Sequence, residues 1–335
     1  GSEPPGELGI TPGLAAGMAG SSDAAIVTIG RNSGEGRDRR NAEGDFKLSA
    51  VEMDMLRAVA GAFHAKNKKV VVILNVGGVI ETAGWKYLPD AILLAWQGGQ
   101  ETGNSIADIL KGSVNPSGKL ATTFPVHYED NPSAGTFPGK ELPSTQPAQP
   151  QQGFMRGTPA EDIYEDGIYV GYRFYETFKV KPSYEFGFGL SYGNFEYGNL
   201  KLSAAQFNGS LTVLVDVKNT GTVAGKEIAQ LYLSAPAGSL HKPVLELKGF
   251  AKTRLLEPGE TQTLTFTLNG RSLASFDPSA SSWVAEAGSY TVKIGASSED
   301  IRQSAAFTLA RSLTVKKETA SLAPKVKIDE LRPGM

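Results

Sequence analysis

The sequence predicts an α/β three-layer sandwich with a mostly parallel sheet, followed by an all-β sandwich. Continuous apolar runs alternate with helix-period segments from Ala24 to Phe124, the pattern of βαβ units with helices on both faces of a parallel sheet. From Leu211 the hydrophobic period changes to two, and short strands recur over about a hundred residues with turn signals between them, as a β-sandwich requires. Between these regions, residues 129–162 lose all periodicity and residues 164–197 are the most aromatic part of the chain. The partition that follows is a flexible N-terminal segment at 1–20, an α/β domain at 21–195, a β-sandwich at 196–315, and a tail or linker at 316–335.

Residues 1–20 are rich in Gly, Pro and Ala, so Leu14–Ala19 is expected to form at most a short frayed helix. Ala24–Ile29 is apolar enough for a strand buried on both faces. Ser49-Ala50-Val51-Glu52 has the form of a capping box, and Val51, Leu56, Val59, Ala60 and Phe63 then share one helical face to about Lys66. Val70–Leu74 is a second strand, Ile80–Tyr87 a short helical piece, Ala91–Ala95 a third strand, Glu101–Leu110 a helix and Lys119–Phe124 a further strand. The Pro-, Gln- and Ser-rich tract 129–162 is too long for an ordinary loop, and reads as a surface excursion or a functional rim. Most rings between Tyr164 and Tyr197 are expected to pack into the core rather than stack on sugars. Leu211, Val213, Val215 and Val217 alternate with more polar neighbours, and similar strands recur at Ala229–Leu233, Leu264–Leu268 and Tyr290–Ile294. Immunoglobulin-like and fibronectin-like sandwiches are not distinguished by this pattern.

Composition narrows the function. Thirty-three Lys and Arg stand against 35 Asp and Glu, which gives no general attraction to nucleic acid or to anionic membranes. No apolar run approaches the ~20 residues that span a bilayer, and the N-terminus lacks the regions of a signal peptide. The absence of cysteine excludes disulfides, thiolate metal sites and thiol nucleophiles. His64, His127 and His241 are scattered without metal-site spacing. Gly30, Gly34 and Gly36 match neither the dinucleotide nor the Walker fingerprint. No cofactor, metal, nucleic acid or membrane partner is expected.

The stretch Gly30–Arg40 stands where the first strand should end. Glu35 lies between two glycines, which free the backbone and let another surface approach. Read from residues alone, Glu35 is a salt-bridge partner that holds the loop together with Asp38 and the arginines.

Ordered motifs along the chain change that reading. They are Ser33–Arg39 (SGEGRDR), Leu74–Gly77 (LNVG), Trp96–Gly103 (WQGGQETG), Asn115–Leu120 (NPSGKL), Thr123-Phe124-Pro125, Ile168–Tyr175 (IYVGYRFY), Phe186–Tyr192 (FGFGLSY), Asn219-Thr220-Gly221, Ala224–Glu227 (AGKE) and Leu247–Phe250 (LKGF). Together they cover roughly Asp23 to Phe307, and the chain resembles glycoside hydrolase family 3, the β-glucosidase and β-xylosidase family. The resemblance implies an α/β sandwich followed by a fibronectin type III-like domain, normally after a TIM-like barrel. It implies retaining cleavage of terminal β-linked sugars by an aspartate nucleophile of the barrel and, in many members, a glutamate acid/base on the sandwich loop. Glu35 matches that glutamate, with Arg31, Ser33, Arg37, Asp38 and Arg39 bracing the loop or lying near substrate.

Too few residues precede Asp23 for a barrel, and Ser22-Asp23-Ala24 lacks the nucleophile context. The barrel and nucleophile are therefore expected on a separate chain or a missing piece. Localisation stays open on the sequence, which is compatible with a reducing or an oxidising compartment; the resemblance slightly favours a periplasmic or secreted setting.

Retaining cleavage needs two carboxyl groups about 5–5.5 Å apart, of which this chain supplies one. A general acid needs a raised pKa, and Arg31, Arg37, Arg39 and Arg40 would lower that of Glu35 if they turned towards it. Glu35 is thus expected to become a competent acid only when a barrel covers it. The alternative is a non-catalytic carbohydrate-binding or interaction module that keeps the fold. The substrate would be a β-linked oligosaccharide or aryl glucoside, with glucose, xylose and N-acetylglucosamine all open as the sugar cleaved.

Overall fold

The computed structural model describes residues 9–32, 38–143, 159–321, 323–324 and 326–333. The candidate residues Ser33, Glu35 and Arg37 lie outside the described residues. The chain divides into two compact units, one of residues 1–114 with 124–128 and one of residues 115–123 with 129–335.

The first unit contains α1 (Pro12–Ser21), β1 (Ala24–Arg31), α2 (Ala50–His64), β2 (Lys69–Val76), β3 (Ala91–Leu94) and α3 (Thr102–Leu110). The three strands form a parallel sheet in the order β1-β2-β3, with Ala24 opposite Lys69 and Val71 opposite Ala91. One core packs Val27, Ile29, Val70, Val72 and Leu74 of the sheet with Leu56, Val59 and Phe63 of α2. The capping box of α2 is formed as the sequence predicts: the Ser49 hydroxyl accepts from the Glu52 N–H, and the Glu52 carboxylate accepts from the Ser49 N–H.

Four local expectations need correction. First, α1 is a formed helix. Thr11 caps it, Pro12 opens it, and Lys68 Nζ donates to the carbonyls of Ala19 and Ser22 at 2.8 and 2.6 Å. Gly13, Gly17 and Gly20 face open space while Ala15 and Ala19 are fully buried. The small residues that make the segment look weak are those that let α1 pack closely.

Second, β1 is buried on one face only: its residues alternate strictly, and Ile26 is 58% exposed. Third, Ile80–Tyr87 forms turns rather than a helix, held by Lys86 N–H to Thr82 O and by Trp85 Nε1 donating to Glu81 O at 2.7 Å. The fully buried side chains of Ile80 and Trp85 fix this segment, not a helical hydrogen-bond ladder. Fourth, Lys119–Phe124 is not a strand. Leu120 exchanges two backbone hydrogen bonds with the Gly187–Phe188 segment, and Phe124 has an isolated bridge rather than a run of strand.

The second unit begins with irregular chain that includes the small antiparallel pair β4 (Lys140–Glu141) and β5 (Ala160–Glu161), followed by α4 (Tyr172–Phe178). The sandwich then uses β6 (Phe195–Leu202), β7 (Ser210–Asn219), β8 (Ile228–Ser234), β9 (Glu246–Lys252) and β10 (Thr261–Asn269). The short helix α5 (Gly270–Leu273) leads to β11 (Ser275–Asp277), β12 (Ser282–Ala285), β13 (Gly288–Gly295), β14 (Ile301–Leu309) and β15 (Leu313–Lys317). One sheet has the order β10-β7-β6 and the facing one β14-β13-β8-β9, with a third small sheet β11-β12-β15. Leu211, Val213, Val215 and Val217 are fully buried against Leu231, Val292 and Ile294, as period two requires.

Among the aromatic residues, Tyr169, Tyr175 and Tyr197 are buried, whereas Tyr164 and Tyr192 are exposed. The segment expected to be a tail begins inside β15, and farther along the Leu331 N–H donates to Glu165 O.

Candidate active site

All three strands of the first unit run the same way, so the chain leaving Arg31, Val76 and Leu94 gathers at one edge of the sheet, where open α/β sheets place their sites. Arg31 ends β1 and is 8% exposed. Its guanidinium meets Glu52 through two parallel hydrogen bonds, Nη1 to Oε1 at 2.6 Å and Nη2 to Oε2 at 2.7 Å. Nε donates to Asp45 O at 2.9 Å, Nη1 to Gly30 O at 2.7 Å and Nη2 to Lys47 O at 3.3 Å. This arginine holds the start of the loop.

The far side of the loop has its own anchor. Arg39 Nη1 donates to Asp45 Oδ1 at 2.9 Å, while Arg40 reaches Oδ2 through its backbone N–H at 3.2 Å and its Nε at 3.3 Å. The Phe46 N–H returns to Arg40 O, and the Lys47 N–H to Ala42 O. Tyr128 stands edge-on to Phe46 with ring centroids 5.4 Å apart and donates its hydroxyl to Arg39 O at 3.4 Å. The Arg39 guanidinium lies beside Gly78, on the chain that leaves β2, and its buried Nε has no hydrogen-bond acceptor among the described residues. Asp38 is exposed.

Both acidic anchors are ionised in this setting. Burial pushes the Glu52 carboxyl up, but the hydrogen bonds from Arg31 and the Ser49 N–H outweigh it and bring the pKa below its ordinary value. Asp45 follows the same logic: burial raises it, and Arg39 and Arg40 lower it further.

The third loop turns tightly into α3. A side chain at Gly98 would stand 2.0 Å from Thr102 Oγ1, so this turn requires glycine. Trp96 before it adopts a left-handed backbone at φ 52° and packs beside Phe124 with ring centroids 6.2 Å apart. Among the described residues no group of three His, Asp or Glu is arranged to hold a metal, and no helix is long and apolar enough to cross a membrane.

Of the sequence-predicted residues, Arg31, Asp38 and Arg39 are described. Arg31 and Arg39 do not share one partner; each is committed to a different carboxylate, and those carboxylates, Glu52 and Asp45, were not among the candidates read from sequence. Three of the four arginines that flank Glu35 in sequence are described, and each has another acidic partner.

The second unit shows what several motifs do. Asn115 donates to Ala224 O at 3.0 Å, and its Oδ1 accepts from Ser191 Oγ and the Tyr192 N–H, both at 2.8 Å. Lys119 donates to Gly189 O at 2.7 Å and pairs with buried Glu227 at 3.0 Å. Gly187, at φ 82°, lies against Gln230, whose amide donates to Gly187 O and Ala296 O and accepts from the Tyr232 hydroxyl. Asn219 is fully buried and donates to Val223 O and Leu256 O. These motifs pin loops to the sandwich.

Residues 13–192 match the model of the glycosyl hydrolase family 3 C-terminal domain. The chain belongs to glycosyl hydrolase family 3. Residues 227–298 match a fibronectin type III-like domain, which identifies the form of the sandwich. Among family 3 relatives, a β-glucosidase of Ruminococcus albus is 36% identical over 325 residues, covering 95% of this chain and 32% of the relative. The structure of β-glucosidase 3B from Thermotoga neapolitana in complex with glucose superposes with a TM-score of 0.82 at 46% identity, over 91% of this chain and 40% of that one. A β-glucosidase from Paenibacillus barengoltzii gives 0.84 at 35% identity, over 96% and 34%. The chain spans about a third of the length of the first relatives it matches, between 32% and 42%.

Proposed function

We propose that this chain is the part of a retaining β-glucosidase-like enzyme that supplies the general acid/base, Glu35, to a site whose nucleophilic aspartate belongs to a barrel domain. The observation that carries the reading is the double anchoring of the loop. Arg31–Glu52 fixes the end of β1, at the carboxyl edge of a parallel sheet, and Arg39/Arg40–Asp45 fixes the chain that follows residue 37. The family relatives named β-glucosidase support the substrate class, a terminal non-reducing β-linked sugar.

In the proposed mechanism the aspartate attacks the anomeric carbon while Glu35 protonates the leaving oxygen, and the resulting carboxylate then activates water to release the sugar. The acid must be protonated at working pH, so desolvation and the negative nucleophile have to raise its pKa. Pairing of Arg31 with Glu52, and sharing of Asp45 by Arg39 and Arg40, leaves less uncompensated positive charge beside the loop than the sequence implies. A covering barrel would supply the desolvation. Ser33, Arg37 and Asp38 are assigned to bracing the loop or to contacting the leaving group, and Arg31 to bracing.

The test compares aryl-β-glucoside hydrolysis by this chain alone, by this chain with the barrel, and by the latter pair carrying Glu35→Gln. No turnover by the chain alone is expected. In the complete enzyme Glu35→Gln should cost about 10²–10⁴ in kcat/KM for poor leaving groups and much less for activated ones. Turnover by the chain alone overturns the assignment of the nucleophile, and an unimpaired Glu35→Gln enzyme overturns that of the acid.

A further inference from the structure

The sequence contains two Asn-Gly pairs, Asn208-Gly209 and Asn269-Gly270, and the structure sets them in opposite chemical situations. Asn followed by Gly is the pair in which the next backbone nitrogen most readily reaches the side-chain carbonyl carbon, because no Cβ obstructs its approach. Asn is accordingly among the thermolabile residues.

Asn269 is held. It caps α5, and its Oδ1 accepts from the Ser272 N–H at 3.1 Å and Ser272 Oγ at 3.2 Å, so the carboxamide is turned into the helix rather than along the chain towards Gly270. Asn208 is not held in this way. It lies exposed in the turn between β6 and β7, and among the described residues its carboxamide makes no hydrogen bond. Gly209 is also exposed, has φ 81°, has open space where a side chain would be and, among the described residues, donates its N–H to no backbone carbonyl.

The geometry points to Asn208 as a site of spontaneous deamidation and isoaspartate formation, with Asn269 protected in the same fold. The Gly209 backbone nitrogen forms a bond to Asn208 Cγ, the Cγ–Nδ2 bond breaks, and ammonia leaves to give a cyclic imide. Water then opens the imide at either carbonyl, giving aspartate or isoaspartate. Neither step needs an oxidant or a catalyst.

The position makes the product consequential. Phe207 on one side is 6% exposed, belongs to the sandwich core and donates its N–H to Thr308 O at 2.8 Å. Ser210 on the other side opens β7, the middle strand of its sheet. Isoaspartate lengthens the backbone by one methylene between these two fixed points, so Phe207 and Leu211 can no longer both keep their places without strain.

The full chain is incubated in mildly alkaline heavy-oxygen water, folded or urea-unfolded, and digested with trypsin. Cleavage after Lys201 and Lys218 isolates residues 202–218, and cleavage after Arg254 and Arg271 isolates residues 255–271, each with a single Asn. Labelling in residues 202–218 but not in 255–271 is expected for folded protein, and labelling of both for unfolded protein. Aged wild type should also lose melting temperature, whereas aged Asn208→Ser should not. The inference is overturned if folded protein keeps its Asn208 amide, if residues 255–271 label as fast in the folded chain, or if labelled protein melts unchanged.

Discussion

Removing one partner of the Arg31–Glu52 pair should destabilise the first unit more than any surface change near the loop. The two side chains are 6% and 3% exposed and meet in a bidentate pair at 2.6 and 2.7 Å. Arg31→Met leaves Glu52 buried with, among the described residues, the Ser49 N–H alone as a donor to it, and breaking a buried pair in this way costs about 3–5 kcal/mol. At a urea dependence of about 1–3 kcal/mol per molar, the unfolding midpoint should fall by roughly 2 M. The combined change Arg31→Met with Glu52→Leu removes both charges together. It should regain most of that loss, leaving a deficit of about 1 kcal/mol from the lost cap. The measurement is equilibrium urea unfolding in a Trp283→Phe background, where fluorescence reports Trp85 and Trp96 of the first unit. A loss below about 1 kcal/mol for Arg31→Met, or a double variant as unstable as the sum of the two single changes, would refute the view that this is a desolvated, coupled pair.

The second unit gives three further expectations. Burial first, then Glu299 and Glu185, push the Glu176 carboxyl up against the opposing pull of Ser298 and Lys179. A raised folded pKa means that its contribution to stability is complete below the ordinary carboxylate range and is lost as pH rises through the folded value. Chemical denaturation across mildly acid to neutral pH should show that decline in wild type and a flatter profile in Glu176→Gln; identical profiles would remove Glu176 as the cause. Gly187→Ala would place a methyl 2.1 Å from Gln230 Oε1 on a φ of 82°, and Gln230 is held by three hydrogen bonds. A cost of about 2–5 kcal/mol is expected from the backbone and the overpacking together, read as a fall in the unfolding midpoint of the sandwich. Lys119→Met should cost about 3 kcal/mol, because Glu227, its side chain 10% exposed, loses its ion-pair partner and keeps only the Ile228 N–H and the more distant Arg302 among the described residues. An unchanged midpoint would show that Glu227 finds another partner.

How much of this was legible in the sequence depends on whether the signal is periodic. β1, β2, α2 and β7 follow from apolar spacing because burial on one face repeats along the element. α1 escaped that reading because its packing face consists of Ala15 and Ala19, too small to register as a hydrophobic stripe. Ile80–Tyr87 escaped for the opposite reason, since two large buried side chains imitate a helix where only turns exist. At the candidate site, the Arg31–Glu52 pair had a readable signal. A helix that follows a parallel strand starts at that strand's carboxyl edge, so a strand-final arginine and a capping-box glutamate are brought to the same place. Asp45 carried no such signal, because its position depends on the turn through Gly44, at φ 73°, that carries the chain back towards Arg40. This difference bears on Glu35. Sequence proximity alone surrounds it with four arginines and argues for a lowered pKa. Tertiary pairing commits the three that are described to Glu52 and Asp45, two of them sharing one carboxylate. The proposed acid must hold its proton, and arginines already engaged by Glu52 and by the shared Asp45 fix the chain on either side of residues 33–37 without each adding a full positive charge there.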